Sequence, residues 1–204
     1  MHIAIAGNIG AGKTTLTQLL AKHYNWDAHF ETVDDNPYLD DFYSEMERWS
    51  FNLQVFFLKS RFEQMLKIQK TGKNIIQDRT IYEDSKIFAP NLHAMGLLTN
   101  RDFNNYNSLF NLMENLITPP DLLIYLRADI KTLVSQIHKR GRTYENSISI
   151  DYLSRLNERY EAWVSKYDKG KILIIDVDDL DFVENPEDLG KIIDRVDAQV
   201  HGLF

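Results

Sequence analysis

The chain has 204 residues, of which 44% are hydrophobic and 26% charged, and 23 basic against 30 acidic side chains leave a net charge of −7. That length is enough for one domain with its own core, expected to span residues 1–204. The acidic balance gives no electrostatic footprint for nucleic acid or a membrane surface, so small molecules are the expected partners and any positive charge for an anionic ligand must be concentrated locally. The absence of cysteine excludes disulfides, thiolate metal sites and redox couples. No apolar run is long enough to span a bilayer, and the expected location is cytoplasmic.

A first apolar run, His2–Ala6, reads as a strand. It leads directly into Gly7-Asn8-Ile9-Gly10-Ala11-Gly12-Lys13-Thr14, which fits the phosphate-binding pattern G-x-x-x-x-G-K-[ST] without a gap. Its glycines let several backbone N–H groups turn towards one anion, and the helix behind adds its positive end. Lys13 is placed to reach the outer phosphates, and the Thr14 hydroxyl to ligate Mg²⁺. Residues Gly7 to Thr15 are therefore the expected ATP-binding segment. The following helix, Thr14–Tyr24, carries Leu16, Leu19, Leu20 and Tyr24 on one stripe.

A short strand, Ala28–Phe30, comes next and is followed by Glu31. An acid at that edge could take the proton of a hydroxyl attacking the γ-phosphate; it could equally be a solvated loop residue. The stretch Ser44–Thr71 is predicted as one long helix rich in aromatics. Tyr43 precedes it, and Gln54 and Arg61 lie two turns apart along one face. A polar pair on an aromatic stripe is suited to reading a base edge, although core packing with a polar rim gives the same pattern.

The strand Asn74–Gln77 runs into Asp78-Arg79-Thr80. Asp78 could sit beside a metal, directly or through water, and Arg79 could set its fork against a phosphoryl oxygen or a carboxylate. A structural Asp–Arg pair is the plainer alternative. Helices are predicted over Arg101–Leu116, Ile130–His138 and Ile150–Tyr167, and strands over Leu122–Leu126 and Lys171–Asp176. Asn185-Pro186 opens a last helix. Lys139-Arg140-Gly141-Arg142 reads as a basic loop between two helices, either a solvated turn or a lid over phosphates, with Glu145 shortly after it. The six histidines lack metal-ligand spacing. Alternating strands and helices give a three-layer α/β fold, with a five-stranded parallel sheet covered on both faces and ligands at the strands' carboxyl ends.

Taken in order, G-N-I-G-A-G-K-T, Glu31, Tyr43, Gln54, Arg61, Asp78-Arg79, Asp84, Phe88 and Arg140-Gly141-Arg142 with Glu145 resemble the deoxyribonucleoside kinases. The match runs from about Met1 to Tyr167 and is nearest the bacterial deoxyadenosine/deoxyguanosine branch, which also has a counterpart of Asn36-Pro37-Tyr38. The resemblance implies a P-loop kinase fold with a helical-hairpin lid at about residues 139–149. It implies transfer of the γ-phosphoryl of ATP to a deoxynucleoside 5′-hydroxyl.

By that resemblance Glu31 is the general base, Tyr43 and Glu145 hold the 3′-hydroxyl, Gln54 binds the base edge and Phe88 stacks on the base. Arg79 contacts the base carboxylate and the reacting phosphoryl group. Asp78 assists Mg²⁺ with Thr14, and Arg140 and Arg142 close on ATP. Lys13 completes the catalytic set. Arg61 and Asp84 stand where thymidine-preferring relatives carry apolar residues, which favours a purine, deoxyadenosine first, with deoxyguanosine or deoxycytidine next. Departures are D-R-T where relatives carry D/E-R-S, Gln136 in place of a further lid arginine, and Tyr144 in place of an acid.

The resemblance also implies a homodimer and feedback inhibition by a deoxynucleoside triphosphate. A nucleoside monophosphate kinase and a non-catalytic nucleotide switch are the alternatives. The chain has no N-K-x-D segment for reading guanine.

Overall fold

The computed structural model describes residues 1–30 and 36–202. Its sheet has five parallel strands: β1 (His2–Gly7), β2 (Asp27–His29), β3 (Ile75–Asp78), β4 (Leu122–Arg127) and β5 (Lys171–Asp176), in the order β2-β3-β1-β4-β5. The register pairs Ile5 with Asp78 and Gly7 with Leu126. The phosphate loop and the Asp78-Arg79 step therefore leave the sheet at the same carboxyl edge.

Period-two alternation divides the strands between two cores. Ala4, Ala6, Leu123 and Tyr125 face one hydrophobic layer, while Ile3, Ile5, Ile76, Leu122, Ile124 and Leu126 face the other. The first layer is built on α3 (Met46–Thr71), α6 (Asn100–Glu114) and α8 (Ile150–Val164). The second takes α1 (Lys13–Tyr24), α7 (Ile130–Arg140) and α9 (Pro186–His201). This is the three-layer arrangement expected from the sequence.

Three expectations are revised. The Ser44–Thr71 helix is broken at Glu45, whose φ of −145° and ψ of 77° are not helical, so a separate α2 (Leu39–Ser44) precedes α3. The Ser44 hydroxyl bonds the Asp40 carbonyl there, the local competition by which serine favours helix ends. The segment after Thr80, for which no element was predicted, is helical throughout: α4 (Ile81–Glu83), a π-helical turn (Asp84–Phe88) and α5 (Ala89–Ala94). Finally, α7 extends to Arg140. Lys139 and Arg140 thus belong to its last turn, and a 3₁₀ turn (Thr143–Ser147) bridges to α8.

At the opposite end of β1, His2 shares a 2.8 Å hydrogen bond with Gln77. Burial pushes the His2 imidazole down to about 4, against the opposing effects of Gln77 and Asp121. In the unfolded chain this group takes up its proton near pH ~6.5. Between those two values the unfolded chain holds more protons, so stability is lost as pH falls through that window. His2→Gln should flatten the fall of Tm over about pH 6.5 to 4. A curve as steep as that of the parent protein would assign the acid sensitivity to other groups.

Candidate active site

The phosphate loop is shaped by approaches that only glycine permits. Gly10 has φ +87°, and a Cβ there would lie 2.7 Å from the Leu133 carbonyl oxygen of α7. Gly12 has φ +88°, and its Cβ would lie 2.9 Å from the Phe182 ring. Gly12 is also the N-cap of α1 and brings no capping side chain, so the first-turn N–H groups remain available to an anion. The Asn8 side chain points away from that anion site. It donates to the Leu153 carbonyl (3.0 Å) and the Asn157 amide oxygen (2.6 Å), which fastens the loop to α8. Lys13 Nζ donates to the Asn8 carbonyl at 2.9 Å.

A cavity of about 350 Å³ opens beside this loop. Ile9, Lys13 and Thr14 form one end of its lining, and Asp78, Arg79, Arg140, Arg142 and Glu145 also line it. Tyr43, Gln54, Arg61, Asp84 and Phe88 complete the expected residues among its lining. The sequence-derived residues thus converge on one space, with two exceptions. Gly7, Asn8, Gly10, Ala11, Gly12 and Thr15 do not line it. Glu31 lies outside the described residues; Phe30, just before it, lines the cavity.

The cavity lining includes a buried ion pair. Arg61 Nη1 donates to both Asp84 oxygens at 2.8 and 2.6 Å, with the two side chains 5% and 2% exposed. The Arg61 guanidinium also lies 4.6 Å from the centre of the Phe57 ring. Gln54 is 2% exposed, and its amide oxygen has no hydrogen-bond partner among the described residues. A buried acceptor without a partner costs about 1–3 kcal/mol, which a ligand's donor would recover. Phe88 lies flat enough for the Arg79 guanidinium to sit 4.6 Å above its ring centre.

At the donor end, the Thr14 hydroxyl donates to Asp78 at 2.5 Å. A hydroxyl and a carboxylate converging beside a phosphate loop form the kind of oxygen donor set a hard cation takes. Among the described residues no cluster of His, Asp or Glu could hold a metal by itself, so the ligand's phosphates and water would complete the shell. Arg140 meets Glu145 through two contacts of 3.0 and 2.5 Å, and Arg142 approaches the same carboxylate at 3.6 Å. The Tyr144 ring stacks on Tyr43 with centroids 5.6 Å apart. Tyr144, where the sequence departs from the expected acid, is therefore a packing contact between the 3₁₀ turn and α2.

Sequence reasoning missed Glu83, Tyr160, Asn157, Phe57 and Tyr152. Only Glu83 had an available signal: Thr80-x-x-Glu83 is a capping-box pattern, and the Glu83 carboxylate does accept from the Thr80 N–H at 2.7 Å.

A phosphate loop between β1 and α1, at the carboxyl edge of a β2-β3-β1-β4-β5 parallel sheet with arginines across the cavity, defines a P-loop phosphotransferase. Residues 3–201 match the family model described as deoxynucleoside kinase, and the chain belongs to that family. It is 39% identical over 204 residues to a deoxyadenosine/deoxycytidine kinase of Bacillus subtilis, covering 98% of this chain and 93% of the relative. A deoxyadenosine kinase of Dictyostelium discoideum is 42% identical over 195 residues, covering 94% of this chain and 77% of the relative. The structure of deoxyadenosine kinase from M. mycoides with bound dATP superposes with a TM-score of 0.85 at 32% identity, covering 97% of this chain and 100% of the other. The reaction is ATP-dependent phosphoryl transfer to a deoxynucleoside.

Gly10→Ala should destabilise the fold by about 2 kcal/mol or more, since it adds a left-handed penalty to a backbone clash. It should also weaken ATP binding, measured by calorimetry. Unchanged Tm and ATP affinity would show that α7 can move away without cost.

Proposed function

We propose that the acceptor is a purine deoxynucleoside, deoxyadenosine first, with deoxyguanosine and deoxycytidine as secondary substrates. The observation carrying this is the buried Arg61–Asp84 pair beside the unpartnered Gln54 oxygen. Adenine offers an exocyclic amine to these acceptors. Thymine would set its methyl group against a desolvated ion pair. The Bacillus relative, named for both deoxyadenosine and deoxycytidine, supports a site that reads amino-bearing bases, as do the M. mycoides structures with bound dATP and dCTP.

In this reading Glu31 takes the proton of the 5′-hydroxyl, and Tyr43 and Glu145 hold the 3′-hydroxyl. Phe88 packs on the base, while Gln54, Arg61 and Asp84 fix its edge. The segment Gly7–Thr15 cradles the ATP phosphates with Lys13. Thr14 and Asp78 would hold Mg²⁺, which would neutralise phosphate charge. Arg79, Arg140 and Arg142 stabilise the phosphoryl group as charge spreads over its oxygens, so catalysis is positioning and electrostatics. The 3₁₀ turn and the end of α7 act as the lid. The enzyme works as a cytoplasmic homodimer; exposed Leu109, Leu112 and Leu116 at α6 support a second copy of this chain as the partner.

With ATP and Mg²⁺, a panel of dAdo, dGuo, dCyd, dThd and their monophosphates should give the highest kcat/KM with dAdo and the lowest nucleoside rate with dThd. Preference for dThd would overturn the base assignment, and turnover of dAMP alone would overturn the acceptor class. Arg140→Ala and Arg142→Ala should each lower kcat about 100-fold or more, and Glu31→Gln should abolish turnover while nucleoside binding survives. Unchanged turnover in these variants would remove them from the catalytic set.

A further inference from the structure

The Glu83 carboxylate is fully buried and stands one residue from Asp84 of the cavity lining, yet no part of the proposed mechanism uses it. Its Oε2 accepts from the Thr80 N–H, which is the capping box. Its other oxygen, Oε1, is committed elsewhere. It accepts from the Tyr160 hydroxyl at 3.0 Å and lies 3.4 Å from the Gly7 N–H of the phosphate loop. The Tyr160 hydroxyl in turn accepts from Arg79 Nη1 at 2.9 Å, and Glu83 Oε1 itself is 3.8 Å from that nitrogen. Arg79 Nη2 reaches the Gly7 carbonyl at 3.4 Å. A helix cap needs only one of the two oxygens, so capping leaves the second unexplained.

Arg79 has reason to need such support. Its backbone has φ +66°, a left-handed conformation costly for a residue with a long side chain. Such a conformation persists only where the surroundings over-determine it. The Arg79 N–H donates to Ile5 of β1 at 3.0 Å, and the guanidinium lies over the Phe88 ring. Tyr160 is 0% exposed and stacks on Tyr125 of β4, so its hydroxyl is held at a fixed place by the sheet. We infer that Tyr160 and Glu83 are positioning residues for Arg79, clamping its guanidinium between the phosphate loop and the cavity. Tyr160 lies on the helix that follows the lid, one turn beyond Asn157, which holds Asn8. The same helix face therefore sets both the cradle and the arginine across from it.

The inference rests on the reading of Arg79 as a contact of the reacting groups, so the test compares backgrounds. In single-turnover assays Arg79→Ala should slow phosphoryl transfer about 100-fold. Tyr160→Phe keeps the ring and its stacking; it should lower kcat about tenfold to a hundredfold with KM for ATP and nucleoside within about twofold. Placed on Arg79→Ala, Tyr160→Phe should cost nothing further, because the group it positions is gone. Glu83→Gln, isosteric and still able to accept from Thr80, should behave in the same way. An equal loss from Tyr160→Phe in both backgrounds would make it a packing residue and overturn the inference, as would wild-type kcat in Tyr160→Phe when Arg79→Ala is slow. Wild-type rates in Arg79→Ala itself would overturn the reading of Arg79 first.

Discussion

Backbone donors can meet a polyphosphate only if the chain that carries them curls tightly and nothing crowds the curl. Here that constraint is met by glycines, Gly10 and Gly12 among them, and it dictates what surrounds them. The Leu133 carbonyl of α7 sits where a Gly10 side chain would be, and the Phe182 ring sits where a Gly12 side chain would be. The loop is thus held by elements far along the chain: α7 and the segment after β5 by contact, and α8 through Asn8. Since α7 and α8 are also the two arms around Arg140, Arg142 and Glu145, the segment proposed as the lid and the phosphate loop share their supports.

Electrostatics follows from the same economy. The chain carries net charge −7, yet the cavity gathers Lys13, Arg61, Arg79, Arg140 and Arg142. Buried cations are tolerated only when paired: Arg61 has Asp84, and Arg79 has Tyr160 with Glu83 behind it. Arg140, at the exposed rim, pairs with the buried Glu145. Desolvation drives the Glu83 carboxyl upward and Arg79 pulls it back. The cavity's positive charge is therefore held in place by carboxylates that contact it.

The strand order of chemistry was legible because its signals are local. A gapless phosphate-loop pattern flanked by a strand and a helix, and an Asp-Arg step at a strand end, depend on neighbours in sequence. Strand β5 matched its expected bounds, Lys171–Asp176, because a short apolar run between a glycine and an acid leaves little choice. The break at Glu45 was hidden because neither proline nor glycine marks it. Tyr160 was hidden for a different reason. On α8 it reads as one more core aromatic, and only the fold brings its hydroxyl to Arg79. The capping-box pattern marks Glu83 as a helix start, but nothing in the sequence links either Glu83 or Tyr160 to Arg79.

The π-helical turn begins between two buried carboxylates that meet different arginines. Glu83 and Asp84 are consecutive, the last residue of α4 and the first of the wide turn. On a regular helix adjacent side chains diverge by about 100°, and a π turn changes that local angle at places that are often functional. Glu83 lies against Arg79, while Asp84 pairs with Arg61; in the proposed mechanism these are the phosphoryl side and the base side. A change that lets this turn relax to α geometry would displace one carboxylate relative to the other. Base discrimination and phosphoryl positioning would then fail together, although neither arginine had been touched. Under the proposed function, the segment for which sequence predicted no element therefore couples acceptor recognition to phosphoryl positioning.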